Sequence, residues 1–165
     1  MNMNKLLRAF DTLTVLKDAG LVAASAAAQV GGQAKILDLH NANGGQAPLD
    51  PTAGMQLGAL TPMVAVIDVS AIEVDTNNES YTVIIQASSS PTFASDIINL
   101  GQIQLAAAGA NLGGATVAGA IGRYVLPLTN WQNGTSRRYI RAYTVVAGTI
   151  ATGINYTCRL GEMQF

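Results

Sequence analysis

The chain lacks most of the side chains on which metal sites and acid–base catalysis depend, because its 165 residues include one cysteine and one histidine. A single cysteine excludes an internal disulfide framework, so the fold must be held together by packing alone. With His40 as the one imidazole, zinc sites built from several Cys and His ligands and Cys–His dyads are also excluded. The composition therefore points away from a metalloprotein and from a small disulfide-bonded scaffold.

Charge is also scarce, since charged residues make up 12% of the chain against roughly 25% in an ordinary globular domain. The remaining polar surface must come from Ser, Thr, Asn and Gln. Charge normally keeps soluble proteins apart, so a neutral surface fits a protein that lives packed against copies or partners. The net charge of −1 argues against a general binder of polyanions.

The few charges are distributed unevenly along the chain. Residues 1–35 carry a net charge of +2, residues 36–122 carry −7 with no cation, and residues 123–165 carry +4. Strands from these segments can interleave and neutralise one another, or the molecule can have one acidic and one basic face. Both interpretations stay open at the level of the sequence.

Period-two alternation of apolar and polar residues predicts an all-β fold of short antiparallel strands. There is no βαβ rhythm and no internal repeat. Segments 62–69 and 81–87 flank a turn at 75–79, so we expect them to form a hairpin. Strands of this number and length make an antiparallel sandwich or jelly roll. The predicted strands are 34–39, 62–69, 81–87, 100–105, 123–128, 138–146 and 154–160.

The same alternation predicts which side chains face the core. In the last strand, Tyr156, Cys158 and Leu160 share one face. The residues expected to be largely buried are Val64, Val66, Val83, Ile85, Ile140, Cys158 and Leu160.

The N-terminal segment is expected to be separate from the sandwich, with residues 1–33 forming an arm or partner-contacting segment and residues 34–165 forming the β-sandwich domain. Charges at Asp11, Lys17 and Asp18 interrupt the apolar run that a signal peptide would need. An apolar arm would be a sticky patch on a lone monomer, so another chain is expected to bury it. Alternatively, the segment folds back as an edge strand of its own sandwich. The apolar residues concerned include Leu6, Leu7, Phe10 and Leu13.

A stripe of basic and aromatic residues lies near the C-terminus, at Arg137, Tyr139, Arg141 and Tyr143. Alternating positions of a strand share a face, so these side chains can bind single-stranded nucleic acid by stacking. They can also form a cross-strand ladder, with Arg stacked on Tyr, that packs against a partner subunit. We favour the ladder, because the net charge does not support a nucleic-acid groove. The stripe and the four apolar N-terminal residues are the candidate partner-contact residues.

Other candidate sites have simpler structural explanations. His40 lies in a turn beside Asp38, and the chain has no nucleophile motif such as G-x-S-x-G, so a solvent-facing loop residue is expected. Cys158 is expected to be a small core residue rather than a nucleophile. We therefore expect no enzymatic activity and no cofactor.

One pattern resembles the start of a calcium-binding loop, since Asp75, Asn77 and Glu79 alternate as its first ligands do. The sixth position is Ser80 rather than Gly and the twelfth is Gln86 rather than Glu, which favours a plain turn.

Three segments, in this order, are similar to the capsid cement proteins of tailed bacteriophages. They are Ala34–Leu39 before a Gly-rich turn, Tyr81–Ser88 followed by Pro91-Thr92-Phe93 and Ile97–Leu105, and Arg138–Val145 followed by Gly148 and Gly153. The similarity runs from about Leu13 to Leu160. Each motif alone is weak, and their order carries the resemblance.

The resemblance implies a jelly-roll subunit on the outer capsid surface of a virion, assembled in the host cytoplasm. Such a subunit bridges neighbouring major capsid proteins and acts as a homo-oligomer, a dimer or a trimer. It implies no catalytic residues, no membrane partner and no direct binding of nucleic acid. The alternative is a carbohydrate-binding sandwich of the viral fibre or lectin type, for which Trp131, between Asn130 and Gln132, is the obvious exposed aromatic candidate.

Overall fold

A computed structural model of the chain describes residues 14–39, 63–110, 121–133 and 135–162. These residues are almost entirely β-structure, as the alternation predicts, with one short 3-10 turn at Ala108–Ala110. No helix among them is long and apolar enough to cross a membrane. The strands are β1 (Val15–Lys17), β2 (Leu21–Val22), β3 (Ala26–Ala27), β4 (Gln29–Val30), β5 (Gln33–Ala34), β6 (Leu37–Asp38), β7 (Met63–Ile72), β8 (Ser80–Ser88), β9 (Ile98–Ala106), β10 (Gly122–Leu128), β11 (Trp131–Gln132), β12 (Thr135–Ser136), β13 (Tyr139–Ala147) and β14 (Ile154–Glu162).

Two antiparallel sheets form a β-sandwich. The first sheet has the order β1-β14-β7-β10, with β2 also paired to β14. The second has the order β3-β13-β8-β9, with β6 also paired to β13. Two short ribbons, β4–β5 and β11–β12, lie outside these sheets. The predicted antiparallel sandwich is confirmed.

The predicted hairpin between segments 62–69 and 81–87 is wrong. Strand β7 pairs with β14 and β10 in the first sheet, whereas β8 pairs with β13 and β9 in the second. Alternation indicates which residues share a face, but it does not indicate which strand lies alongside. The connection at 73–79 crosses from one sheet to the other instead of closing a turn within one sheet.

Buried carboxylates hold this crossing connection in place. Glu73 accepts hydrogen bonds from the backbone N–H groups of Ala151, Thr152 and Gly153 at 2.9, 2.5 and 2.7 Å. These bonds lower the pKa of the Glu73 carboxyl to about 2. Glu73 therefore ties the end of β7 to the loop between β13 and β14.

The core is continuous between the two sheets. Five of the predicted core residues are buried in it, namely Val83, Ile85, Ile140, Cys158 and Leu160. One hydrogen bond crosses from sheet to sheet inside this core, between the Thr144 hydroxyl on β13 and the Tyr156 hydroxyl on β14, at 2.6 Å. The bond satisfies the polar end of a fully buried Tyr, which would otherwise destabilise the core.

The predicted burial of Val64 and Val66 is wrong, because both are only partly buried on the outer face of β7. The apolar run at the start of this strand has no polar residue to indicate which parity faces inward. Asp68 and Ser70 share the parity of Val64 and Val66, and they point the same way, out of the sandwich. The residues that β7 buries are Met63, Ala65, Ile67 and Val69.

The described part of the N-terminal segment belongs to the sandwich. Strand β1 pairs with β14 and β3 pairs with β13, so the segment contributes to both sheets. Leu16 is fully buried in the common core. Of the two possibilities open for residues 1–33, residues 15–27 therefore pair as strands with their own sandwich. The candidate contact residues Leu6, Leu7, Phe10 and Leu13 lie outside the described residues.

Candidate interaction surface

The predicted basic and aromatic stripe lies on the outer face of the second sheet. Tyr139, Arg141 and Tyr143 alternate along β13 with the buried residues Ile140 and Ala142. Each of the three outer side chains is half-buried, as is Arg137, which precedes the strand. Strand β13 therefore places Tyr139, Arg141 and Tyr143 on one face, as the sequence predicts, whereas Arg137 lies outside the strand.

Arg141 is the most tightly held residue of the stripe. Its guanidinium lies 4.2 Å from the ring centre of Phe93 and 5.1 Å from that of Tyr143. Its Nε donates a hydrogen bond to Gln86 Oε1, on the neighbouring strand β8, at 3.0 Å. Burial lowers the pKa of Arg141, whose cation is satisfied by ring faces and a neutral amide. Arg stacking on Tyr, the basis of the ladder interpretation, is thus present at this position.

A folded loop after β8 supplies Phe93 and braces the stripe. The Ser88 hydroxyl donates to the carbonyl of Ser95 at 2.8 Å, and the backbone N–H of Phe93 donates to the carbonyl of Ser90 at 3.1 Å. Phe93 is 5% exposed although it lies in a surface loop. The loop therefore orders Arg141 before any partner arrives.

Three ion pairs join the acidic middle of the chain to its basic end. They are Arg123–Asp68, Arg137–Asp96 and Arg138–Asp38, each at 2.7 Å. Every acid comes from residues 36–122 and every arginine from residues 123–165. The interleaving interpretation is therefore confirmed for these pairs, against separate acidic and basic faces.

Pairing also changes what the stripe can bind. Asp96 holds Arg137, and the Ser89 hydroxyl together with the Arg137 guanidinium keeps the pKa of the Asp96 carboxyl below its ordinary value. Arginines neutralised by carboxylates attract phosphate weakly, because the counter-charge is already in place. Of the two arginines in the stripe, Arg137 is therefore neutralised by a carboxylate, whereas the Arg141 cation contacts ring faces and a neutral amide.

Across β13, β8 and β9, the outer face of the second sheet is nearly free of charge. Residues directly opposite one another across β13, β8 and β9 form three rows, and Arg141 is the one charged member among them. A further amide bond, from Gln86 Nε2 to Asn99 Oδ1 at 3.2 Å, connects β8 to β9. The rows are Tyr143–Ile84–Gln102, Arg141–Gln86–Asn99 and Val145–Thr82–Gln104.

Trp131 lies on the β11–β12 hairpin and is 40% exposed. The buried residue Asn130 stabilises the base of the hairpin, because its Nδ2 donates a hydrogen bond to the carbonyl of Arg137 at 2.9 Å. The turn includes Asn133 at a φ of 51°, a left-handed conformation that Asn tolerates. An aromatic ring is therefore presented to solvent on a braced support.

The turn at 75–79 uses its acidic side chain internally. Glu79 is fully buried and accepts hydrogen bonds from the backbone N–H groups of Thr76 and Asn78 at 2.5 and 3.0 Å. Burial acts to raise the pKa of the Glu79 carboxyl, but these bonds keep it below its ordinary value. The carboxylate thus serves the turn and does not face outward as a calcium ligand would.

The environment of Cys158 does not favour a reactive thiol. Cys158 is fully buried, and burial raises the pKa of its thiol to about 12. His40 lies outside the described residues. Within the described ranges, no group of three or more His, Cys, Asp or Glu residues could hold a metal ion.

Sequence reasoning did not find a cavity of about 380 Å³ beside β1, because the pairing of the short strands that line it could not be predicted. Lys17 lines this cavity and donates from Nζ to the carbonyls of Asp18 and Gly20 at 2.8 and 2.9 Å. Its ammonium also lies 4.7 Å from the ring centre of Tyr156. Burial lowers the pKa of Lys17. Its hydrogen bonds to the two carbonyls stabilise the turn after β1.

No protein-family model matches the chain, and no curated protein matches it.

Proposed function

We propose that the chain is a structural virion protein that binds the outside of an icosahedral phage capsid and bridges neighbouring major capsid proteins. The strand order carries the proposal. If β3 and β6 are counted as one strand, the eight principal strands give the sheet orders 1-8-3-6 and 2-7-4-5. We infer a jelly roll from this order, an architecture that recurs in viral capsid and lectin domains.

The outer face of the second sheet supports a role in protein contact. Across β13, β8 and β9 it carries one charged residue, Arg141, whose guanidinium lies against the rings of Phe93 and Tyr143. Side chains that are ordered before binding lose little entropy on docking, which favours a durable contact. Many copies acting in parallel then make modest single contacts collectively strong.

The N-terminal residues supply a second candidate contact. Residues 1–13 precede β1, which lies at the edge of the first sheet. We propose that their apolar side chains bind a neighbouring subunit, whether a sister copy or the shell. The residues proposed for this contact are Leu6, Leu7, Phe10 and Leu13.

Binding to empty, expanded capsid shells that lack this protein tests the proposal. The purified chain should co-sediment with the shells and raise the temperature at which they come apart. Tyr139→Ala combined with Tyr143→Ala should weaken binding, whereas Val125→Ala on the outer face of the first sheet should not. If the protein sediments apart from shells that are equally durable without it, the proposal fails.

Trp131 favours carbohydrate binding as a second candidate function. An exposed ring on a braced hairpin can stack on the apolar face of a sugar, and lectin domains also use the jelly roll. A glycan array tests this candidate directly. Binding that is lost in Trp131→Ala supports it, and a silent array overturns it.

A further inference from the structure

Strand β9 forms one edge of the second sheet. It pairs with β8 from Ala87↔Ile98 to Ser80↔Ala106. No strand of the described ranges pairs with its other side. Within the described residues, this nine-residue edge leaves backbone N–H and C=O groups unpaired, and such an edge is a template to which another strand can add.

This edge lacks the features that usually prevent strand addition. Natural edge strands are commonly interrupted by charged residues, proline or bulges. Strand β10, the edge of the first sheet, has two such features, Arg123 and Pro127. Strand β9 has no charged residue and no proline along its whole length, and its one irregularity, beside Leu100, leaves residues 101–106 regular.

We propose that β9 pairs in antiparallel orientation with β9 of a second copy of this chain, joining two second sheets across a two-fold axis. The exposed side chains of the edge are self-complementary. Gln102 and Gln104 point outward, and an amide both donates and accepts hydrogen bonds. A charged edge would repel its own copy at a two-fold axis, whereas this edge brings no charges together.

The faces of the strand fix the register. Directly opposed residues in an antiparallel pair share a face, so the axis must pass through a residue rather than between two residues. Axes at Ile103 and at Gln104 each pair five residues of the regular stretch, but only an axis at Ile103 sets the two outward amides opposite one another. Gln102 of each copy then lies opposite Gln104 of the other copy, and the two Ile103 residues lie opposite each other. If the chain is the bridging protein proposed above, such a dimer carries two shell-binding faces.

Sedimentation of the purified full-length chain tests the pairing without any shell, so it can fail while the proposed function stands. The unaltered chain should sediment at twice its 17.1 kDa mass. Gln102→Lys with Gln104→Lys should lose the dimer, because like charges meet twice. Gln102→Lys with Gln104→Glu should keep it, because the opposed pairs then have opposite signs. Ser70→Lys with Val125→Lys, exposed positions of the first sheet, is the control that should stay dimeric.

Disulfide trapping checks the register and does not depend on how the charged variants fold. Because Cys158 is buried, only the introduced thiols are accessible to form a disulfide between chains. Chains with Gln102→Cys mixed with chains with Gln104→Cys should cross-link. Either variant alone should not, because its two copies are diagonal neighbours, about 7–8 Å apart, beyond the usual span of a disulfide.

Three outcomes overturn the proposal. They are a monomer or a trimer for the unaltered chain, a dimer that survives both lysines, and cross-linking that is equal in all mixtures.

Discussion

The two faces of β7 make a quantitative prediction. Ile67 is fully buried between the sheets, whereas its neighbour Val66 lies half-buried on the outer face. Ile67→Ala removes three carbons from a close-packed site and should lower the free energy of unfolding by about 2–5 kcal/mol. Val66→Ala removes two carbons from a partly solvated site and should cost less than about 1 kcal/mol.

Urea unfolding, followed by circular dichroism, measures both changes. If the slope against urea is unchanged, the shift of the midpoint reports stability alone. Heating gives an independent check, because in a chain of this size each kcal/mol shifts Tm by about 2–4 °C. A larger cost for Val66→Ala than for Ile67→Ala would refute the assignment of faces and would place Val64 inward as well.

Three further predictions concern buried polar groups. Glu73 has a folded pKa of about 2 against an ordinary value of 4.5, so its stabilisation is complete above pH 4.5 and is lost as pH falls toward 2; Glu73→Gln should flatten that part of the acid-unfolding curve. Thr144→Val leaves the Tyr156 hydroxyl buried without its partner and should cost about 1–3 kcal/mol in urea unfolding, whereas combining it with Tyr156→Phe should restore part of that loss. Cys158, with a thiol pKa of about 12, should react with a thiol reagent at pH 8 only as fast as the protein unfolds, and rapid labelling of the native chain would contradict its burial.

The extent to which sequence predicts this fold follows from what alternation encodes. Where polar residues mark one parity, as along β14, the buried face of Tyr156, Cys158 and Leu160 follows directly. In the apolar run of β7 the parity has to be taken from Asp68 at its far end. Faces are local information, whereas strand partners depend on which distant segments meet.

The candidate surface was predictable in part for the same reason. Alternate residues of β13 had to share a face, so the stripe could be read from spacing. The contact between Arg141 and Phe93 could not be predicted, because Phe93 comes from a loop that folds back onto the sheet. The cavity beside Lys17 was missed because residues 14–30, with their short strands and many alanines, carry too little alternation to reveal pairing with β14 and β13.

The distribution of charge along the sequence does indicate which strands lie side by side. In the sandwich, Arg123 lies directly opposite Asp68, and Asp38 lies opposite the residue after Arg138. A segment with seven acids and no cation cannot neutralise itself, so its strands are stabilised beside the segment that holds five arginines. Exposed pairs of this kind contribute only about 0–1 kcal/mol each, too little to drive folding. Their value is in selecting neighbours, and β9, which has no charged residue, takes no part in this selection.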